Sequence, residues 1–486
     1  MMLSTFIEKK WLFFLITLIT FNAFAKEAPL TLKDILHSVD CFYPQIRIAQ
    51  LEINKAQGDF LSAVGQFDPS LDINTRSQPF GGYINNYGDG QFNIPTLYNG
   101  IKVFGGYRLG RGDWPIYYQN YLTNSGGEYR AGISLPLLKD RKIDRERTEL
   151  LSKAQQIQVK QQEVQSTKIR IYKEAIVAYW QWVETGLQLR NFEALLKLAK
   201  VRQNAIRKQA ERGDLPSLSV SENLQLIVQR AQLLNQSKMA FEQAAINLSL
   251  YYRNTDGKPK IASPSAIPRF LSRLPAKMSV SIGELQSHPA LKKLDNYKEV
   301  IKLKKNLAQN DLLPNLDATA YTFKQEGSGG YPRLIPQAGM VGLSFKFPLL
   351  QREAKGRIIT ASSELQQIQT ERRFLHEQLK IELHNLFVGI KIYERQIELL
   401  KKELKLAQRV QSGEETKFYE GDSTLFLVNQ REQATTQVKL NLINAKIKLY
   451  ELNDLAYFFS STQFKSFRPK KKSLLTRVNL KQQSYR

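Results

Sequence analysis

The chain repeats itself, and the repeat fixes what it can fold into. Pro44, entered through Tyr43, opens an amphipathic segment that ends at Phe67-Asp68-Pro69-Ser70-Leu71. Pro289, entered through His288, opens another that ends at Leu312-Leu313-Pro314-Asn315-Leu316, and in both copies the bounding prolines stand 25 residues apart. Past the second proline the apolar spacing changes from helical to alternating: Leu71, Ile73 and Thr75 in one copy, Leu316, Ala318 and Ala320 in the other. Alternation of that kind predicts strands with two unlike faces. A stretch rich in glycine and aromatics follows in each copy, then a second alternating run, 131–138 or 341–350. Both runs end Pro-Leu-Leu and lead into a long helical pattern. Three landmarks in one order, twice over, mean a duplicated structural unit.

The long segments carry heptad seams. Leu189, Phe192, Leu196, Ala199, Gln203, Ile206 and Ala210 form one stripe, and Val220, Leu224, Ile227, Ala231, Leu234, Phe241, Ala245 and Leu248 a second. The other half answers with Tyr393, Ile397, Leu400, Leu404 and Ala407, then Val438, Leu442, Ala445, Leu449 and Leu452. Between paired helices lies a short break with the same dipeptide in both copies, Gly213-Asp214-Leu215-Pro216-Ser217 and Gly421-Asp422-Ser423-Thr424-Leu425. Glycine ends a helix in the left-handed conformation, and Asp or Ser caps the next, so each break is read as a hairpin tip. Lys142 to Arg212 spans 71 residues, which at 1.5 Å per residue is about 105 Å of helix.

At the N-terminus Lys9 and Lys10 precede the apolar run Trp11 to Phe21 and the small-residue site Ala23-Phe24-Ala25, the pattern of a secretory signal peptide over residues 1–25. The run is shorter than the ~20 residues of a membrane helix, so the mature chain is expected to start at Lys26. Cys41 is the single cysteine and has no disulfide partner in the chain; it is read as a small helical residue. A net charge of +25, from 70 Lys+Arg against 45 Asp+Glu, would ordinarily point to nucleic acid. Export argues against that, and anionic lipid or anionic cargo fits better. Part of the excess is local, since residues 461–486 hold eight basic residues and no acid.

Enzymatic chemistry finds little footing. His37, His288, His376 and His384 lack the close spacing that sets metal ligands on one helix face. The glycine-rich run 105–112 has no Lys-Ser/Thr and reads as turn and strand rather than phosphate loop. The tripeptide Arg111-Gly112-Asp113 is read as a chance match. The expectation is a non-enzyme with no cofactor and no metal.

Taken together, the proline-bounded helix, the Pro-Leu-Leu strand exits, the two Gly-Asp tips and the signal peptide resemble the TolC family of outer-membrane efflux proteins, over residues 31 to about 456. The resemblance implies a mainly α fold with a membrane β-barrel portion: a homotrimer whose strands form one 12-stranded barrel continued by an α-helical barrel in the periplasm. Sterics and hydrogen bonding support the trimer separately. Open strand edges are not tolerated in lipid, and four strands from one chain cannot enclose a usable lumen, whereas three chains can. The implied role is a passive export duct, contacting outer-membrane lipid, partnered by a periplasmic adaptor and, through it, an inner-membrane pump, with no nucleic acid. The implied docking or gating residues are those of the tips: Gly213, Asp214, Leu215, Ser219, Gly421, Asp422 and Leu425. Well-known members carry acidic residues six and nine positions after the second tip glycine; here Leu427 and Gln430 stand there, with Glu222 or Glu432 as substitutes if they face the lumen. The domain reading is a signal peptide (1–25), a first repeat (26–253), a linker (254–283), a second repeat (284–456) and a basic tail (457–486). The first repeat is longer than the second between prolines, 92 residues against 59, which predicts an enlarged extracellular loop or an extra hairpin. A periplasmic coiled-coil adaptor is the alternative, but it would carry one hairpin within small β-domains. A structural coiled coil without a channel leaves the strand segments unexplained.

Overall fold

The computed structural model describes residues 28–268, 282–329 and 337–460. The expected signal peptide, residues 269–281 of the linker and residues 461–486 of the basic tail lie outside them. In chain order the elements are α1 (Leu32–Phe42), α2 (Pro44–Gly65), β1 (Ser70–Gln78), β2 (Asn85–Pro95), β3 (Lys102–Gly112), β4 (Glu128–Pro136), α3 (Arg145–Glu211), α4 (Ser217–Ser249), α5 (Pro289–Asn310), β5 (Asn315–Gln325), β6 (Gln337–Lys346), α6 (Arg352–Glu420) and α7 (Leu425–Ser460). The long helices run 67 and 69 residues, α3 and α6 respectively, as the heptad lengths require. The chain packs as two compact units, one of residues 28–46, 168–268 and 380–460, the other of 47–167, 283–329 and 337–379. Each unit draws on both sequence repeats.

The second unit contains the sheet. It is a six-stranded antiparallel meander in the order β1-β2-β3-β4-β5-β6. Among the described residues the expectation of four strands is corrected to six, and the surplus length of the first repeat holds an extra hairpin, β2–β3, inserted between β1 and β4. β2 escapes a period-two reading because its first half is Asn-Asn-Tyr-Gly-Asp-Gly, with apolar residues only at Phe92 and Ile94. Where the strands leave for the helices, Leu137 N–H donates to Leu316 O (2.7 Å), so the Pro-Leu-Leu exit of one repeat is tied to the strand start of the other. Beside the sheet, Leu294 and Ile301 of α5 pack on Ala361 and Ile368 of α6.

The first unit is helical. A capping box starts α1, with the Thr31 hydroxyl accepting from Asp34 N–H and the Asp34 carboxylate accepting from Thr31 N–H. Ile35 and Val39 of α1 join Ile171, Ile176, Trp182 and Val183 of α3, Phe241 and Leu248 of α4, Ile267, and Ile447 of α7 in one buried core. A second cluster holds Ile397, Leu400, Val438, Leu442, Ala445 and Leu449, the seam that the heptads predicted between α6 and α7. α4 departs from its predicted stripe. Leu224 is 48% exposed and Ala231 is exposed, while Asn223, Arg230 and Ser237 are buried. The apolar stripe takes over only from Phe241.

Between α3 and α7 the packing is partly polar. Trp180 Nε1–H donates to the Asp454 carboxylate at 2.7 Å. Burial pushes that carboxyl up to about 6, against the opposing effect of the indole bond. A raised carboxyl is neutral in folded and unfolded chains below about pH 4, and above pH 6 the folded chain alone carries it as a poorly solvated charge. The destabilisation thus sets in as pH rises from 4 through 6. Asp454→Asn keeps an acceptor for the indole and removes the charge. The variant is expected to be more stable than the parent by about 1–2 kcal/mol at pH 7.5, allowing for partial exposure, and equal at pH 4. Melting temperatures in detergent at the two pH values check this; a gap independent of pH contradicts it.

Candidate functional site: the hairpin tips and the ion cluster behind them

Both tips end their long helix in the same way. Gly213 has φ 84°, its N–H donates to Ala210 O (3.1 Å), and Asp214 N–H donates to Gln209 O (2.9 Å). Gly421 has φ 88°, its N–H donates to Phe418 O (3.3 Å), and Asp422 N–H donates to Lys417 O (2.9 Å). These are the two reverse bonds of a Schellman cap, and they satisfy carbonyls that the helix end would otherwise leave open. A Cβ at either glycine would meet no atom within 4 Å. Backbone conformation, not crowding, therefore selects glycine, at roughly 1–2 kcal/mol for a residue with a side chain.

The start of the return helices corrects the expected Asp or Ser caps. Pro216 holds the N-cap of α4 with no side-chain hydrogen bond, and at α7 the Thr424 hydroxyl accepts from Leu427 N–H at 3.4 Å. Ser423 instead donates its hydroxyl to the Glu414 carboxylate. Asp214, Gly213, Gly421 and Asp422 are exposed, and Leu215, Ser219 and Glu222 are half-buried. On α7 the spacing sorts the remaining candidates. Leu425, Val428 and Glu432 face inward, with Glu432 only 2% exposed, while Leu427 and Gln430 lie on the exposed side.

Glu432 is the centre of a cluster that joins four helices. Its carboxylate accepts from Arg230 Nη2 of α4 and from Arg202 Nη1 of α3, both at 2.8 Å. Arg202 also donates to Asn429 Oδ1 (3.0 Å) and lies 3.8 Å from Glu415 of α6. Arg230 donates to Leu195 O at 2.9 Å, and one heptad away Asn223 donates to Ala199 O at 3.2 Å and Gln203 Oε1 at 2.6 Å. Two guanidiniums thus meet the buried Glu432 carboxylate, with further donors directed at a backbone and an amide oxygen, which is the condition for holding that charge out of water. The cluster ties the first hairpin to the second. Arg202 and Arg230 were not among the sequence candidates; the available signal was the seven-residue spacing of Asn223, Arg230 and Ser237. Among the described residues no group of three or more His, Cys, Asp or Glu is placed to hold a metal.

Removing one partner of a buried ion pair leaves the others uncompensated. Glu432→Ala is expected to destabilise the helical unit by about 3–5 kcal/mol, and adding Arg202→Met and Arg230→Met to recover most of that loss. Denaturant unfolding of the three proteins checks it. A single variant within 1 kcal/mol of the parent, on the order of a surface pair, contradicts the reading.

No protein-family model and no curated protein matches the chain. Solved structures do. A membrane protein from Pseudomonas aeruginosa superposes with a TM-score of 0.64 at 13% identity, covering 90% of this chain and 93% of its own. The outer membrane protein VceC of Vibrio cholerae gives a TM-score of 0.63 at 14% identity, over 88% of this chain and 96% of its own. The CmeC outer membrane channel of Campylobacter jejuni gives 0.63 at 11% identity, over 93% and 89%. At these identities the likeness is one of fold, and it extends over nearly the whole of both chains. The chain has the fold of bacterial outer-membrane channel proteins, the architecture to which its resemblance to the TolC family pointed.

Proposed function

We propose that the chain is one subunit of a homotrimeric export duct in the bacterial outer membrane, with its helices in the periplasm. The observation that carries this reading is the sheet. β1 and β6 end the strand order with one edge each unpaired among the described residues. On β6 the alternate residues Val341, Leu343 and Phe345 are 83%, 71% and 66% exposed. Such a face is stable against hydrocarbon, and such edges are stable there only when copies of the chain close them. None of the described helices is long and apolar enough to cross a membrane.

In this reading the helical tips dock a periplasmic adaptor, through which an inner-membrane pump supplies energy. Two tips that share one capping pattern in one chain support this, since a trimer offers each adaptor a repeated surface. The ion cluster around Glu432 fastens the two hairpins to each other, so any opening at the tips must either carry both hairpins together or break those bonds. The duct itself is passive. An adaptor role for this chain fits less well, because it leaves the open-edged apolar sheet without a partner.

Fractionation and native mass measurement test the assembly: a trimer recovered from outer membranes is expected, and a monomer in the soluble periplasm contradicts the proposal. For the tips, Gly213→Val and Gly421→Val are each expected to cost on the order of 1 kcal/mol or more locally. That leaves the trimer folded and inserted while lowering adaptor crosslinking and efflux. Unchanged crosslinking and efflux in both variants would show that the tips are turns only.

A further inference from the structure

The extra hairpin is not an appendage, because of where it sits in the hydrogen-bonded order. β1 pairs with β2 through nine residues and β3 with β4 through seven, so β2–β3 separates β1 from β4. Any barrel closed through the free edges of β1 and β6 includes all six strands. Strand lengths of 9 to 11 residues match what a tilted strand needs to cross a bilayer, about 9–11.

The two faces say the same. The register places Ile94, Val103, Ile133, Ala320 and Val341 side by side across β2 to β6, an unbroken apolar row in which the extra hairpin supplies the first two members. On the opposite face, Asn74, Asp89, Arg108, Glu128 and Gln325 form a row across β1 to β5. There Arg108 pairs with Glu128 (2.7 Å), Arg130 with Asp89 (2.6 Å), and Gln325 donates to Glu128 (3.0 Å). An apolar outer row and a charged inner row are what a barrel wall between lipid and a water-filled lumen requires.

The inner face of the hairpin is also covered. Two residues nearer the β3–β4 loop, Arg76, Tyr87 and Gly110 stand side by side on the charged face. The loop folds back onto this row. The Arg76 guanidinium lies 5.5 Å from the Tyr118 ring, and Tyr87 meets Tyr121 edge-on at 5.0 Å, with Trp114 stacked behind at 5.5 Å. Thr123 N–H donates to Gly110 O at 3.1 Å, and a Cβ on Gly110 would stand 1.8 Å from Tyr121 O, so only glycine admits the loop there.

We infer that the trimer closes an 18-stranded outer-membrane barrel, three copies of six strands, in which the β2–β3 hairpin faces lipid and the β3–β4 loop narrows the lumen from within. Barrel diameter grows roughly linearly with strand number, so this wall is about half as wide again as one of 12 strands, in the range that leaves an open aqueous channel. The aromatic loop is then the element that reduces the opening. The inference rests on the outer-membrane reading and is tested so that the two can fail separately.

In a Cys41→Ser background, nitroxide labels are placed at Phe92→Cys and Val103→Cys on the hairpin's apolar face, at Gln91→Cys on its charged face, and at Val341→Cys and Leu343→Cys on β6. Trimers in lipid are then exposed to oxygen and to a water-soluble nickel chelate. Labels at 92 and 103 are expected to behave as those at 341 and 343, relaxed by oxygen and shielded from nickel, and the label at 91 to behave oppositely. Nickel access at 92 and 103 with shielding at 341 and 343 overturns the eighteen-strand barrel and leaves the outer-membrane reading standing. Nickel access at all four overturns both. For the loop, Tyr118→Ala with Tyr121→Ala is expected to raise single-channel conductance of the same trimer; unchanged conductance overturns the constriction.

Discussion

A sheet with one face apolar can rest in hydrocarbon only if no strand edge is left open, because each unpaired backbone group there costs several kcal/mol. Under the proposed outer-membrane reading, that single requirement organises this chain. Its six strands pair in simple sequence order, so the two edges belong to β1 and β6, one from each repeat. Closure within one chain would need six strands to curl around almost no interior, and the charged row from Asp89 to Gln325 would have nowhere to go. Closure between copies, as proposed, would satisfy the edges and give that row a lumen. Helices attach at one end of the sheet, where α2 and α5 deliver β1 and β5 and where β4 and β6 lead on to α3 and α6, while β2 and β3 are joined there by a short turn.

The helical unit faces a different problem, which is to hold long hairpins together without a continuous apolar seam. Its core is hydrophobic around Trp182 and Ile171, and again around Ile397 and Leu442, but polar at Trp180 with Asp454 and around Glu432. Polar contacts of this kind are weak contributors to net stability and strong determinants of register, because their donors and acceptors match at one alignment only. Arg202 and Arg230 converge on Glu432 from two helices of the first hairpin, and Leu425 and Val428 pack on the same inward side of α7. The tips can therefore be exposed and glycine-bearing while the helices behind them keep a fixed alignment.

Much of this was legible in the sequence, and the exceptions have physical reasons. The duplication, the β-strand faces, the long helices and both tips are written in periodicities of two and seven and in paired glycines, which survive any loop change. Of the predicted α6–α7 seam, Ile397, Leu400, Val438, Leu442, Ala445 and Leu449 form the buried cluster and Tyr393 and Leu404 pack against it, while Ala407 and Leu452 lie outside it. The extra hairpin was visible only as surplus length, because β2 is rich in Asn and Gly and shows its apolar face at two positions. The α4 stripe was read one residue out of phase near the tip, where Arg230 and Asn223 occupy the buried side. Composition treats a buried arginine as a solvated one; beyond the seven-residue spacing it shares with Asn223 and Ser237, it is the position of Glu432 on another helix that reveals Arg230 as buried. The tip glycines were identified, but the caps after them were assigned to the wrong residues, since Pro216 and Thr424 compete for those positions and a sequence cannot rank them.

The central claim is that β1 and β6 find their missing partners in other copies of the chain, and amide hydrogen exchange reads this directly. In the trimer extracted from membranes, the amides of β1 and β6 are expected to be protected as strongly as those of β3 and β4, which are paired on both sides within one chain. Fast exchange at alternate residues of β1 and β6, with β3 and β4 protected, would mean open edges and would contradict the account.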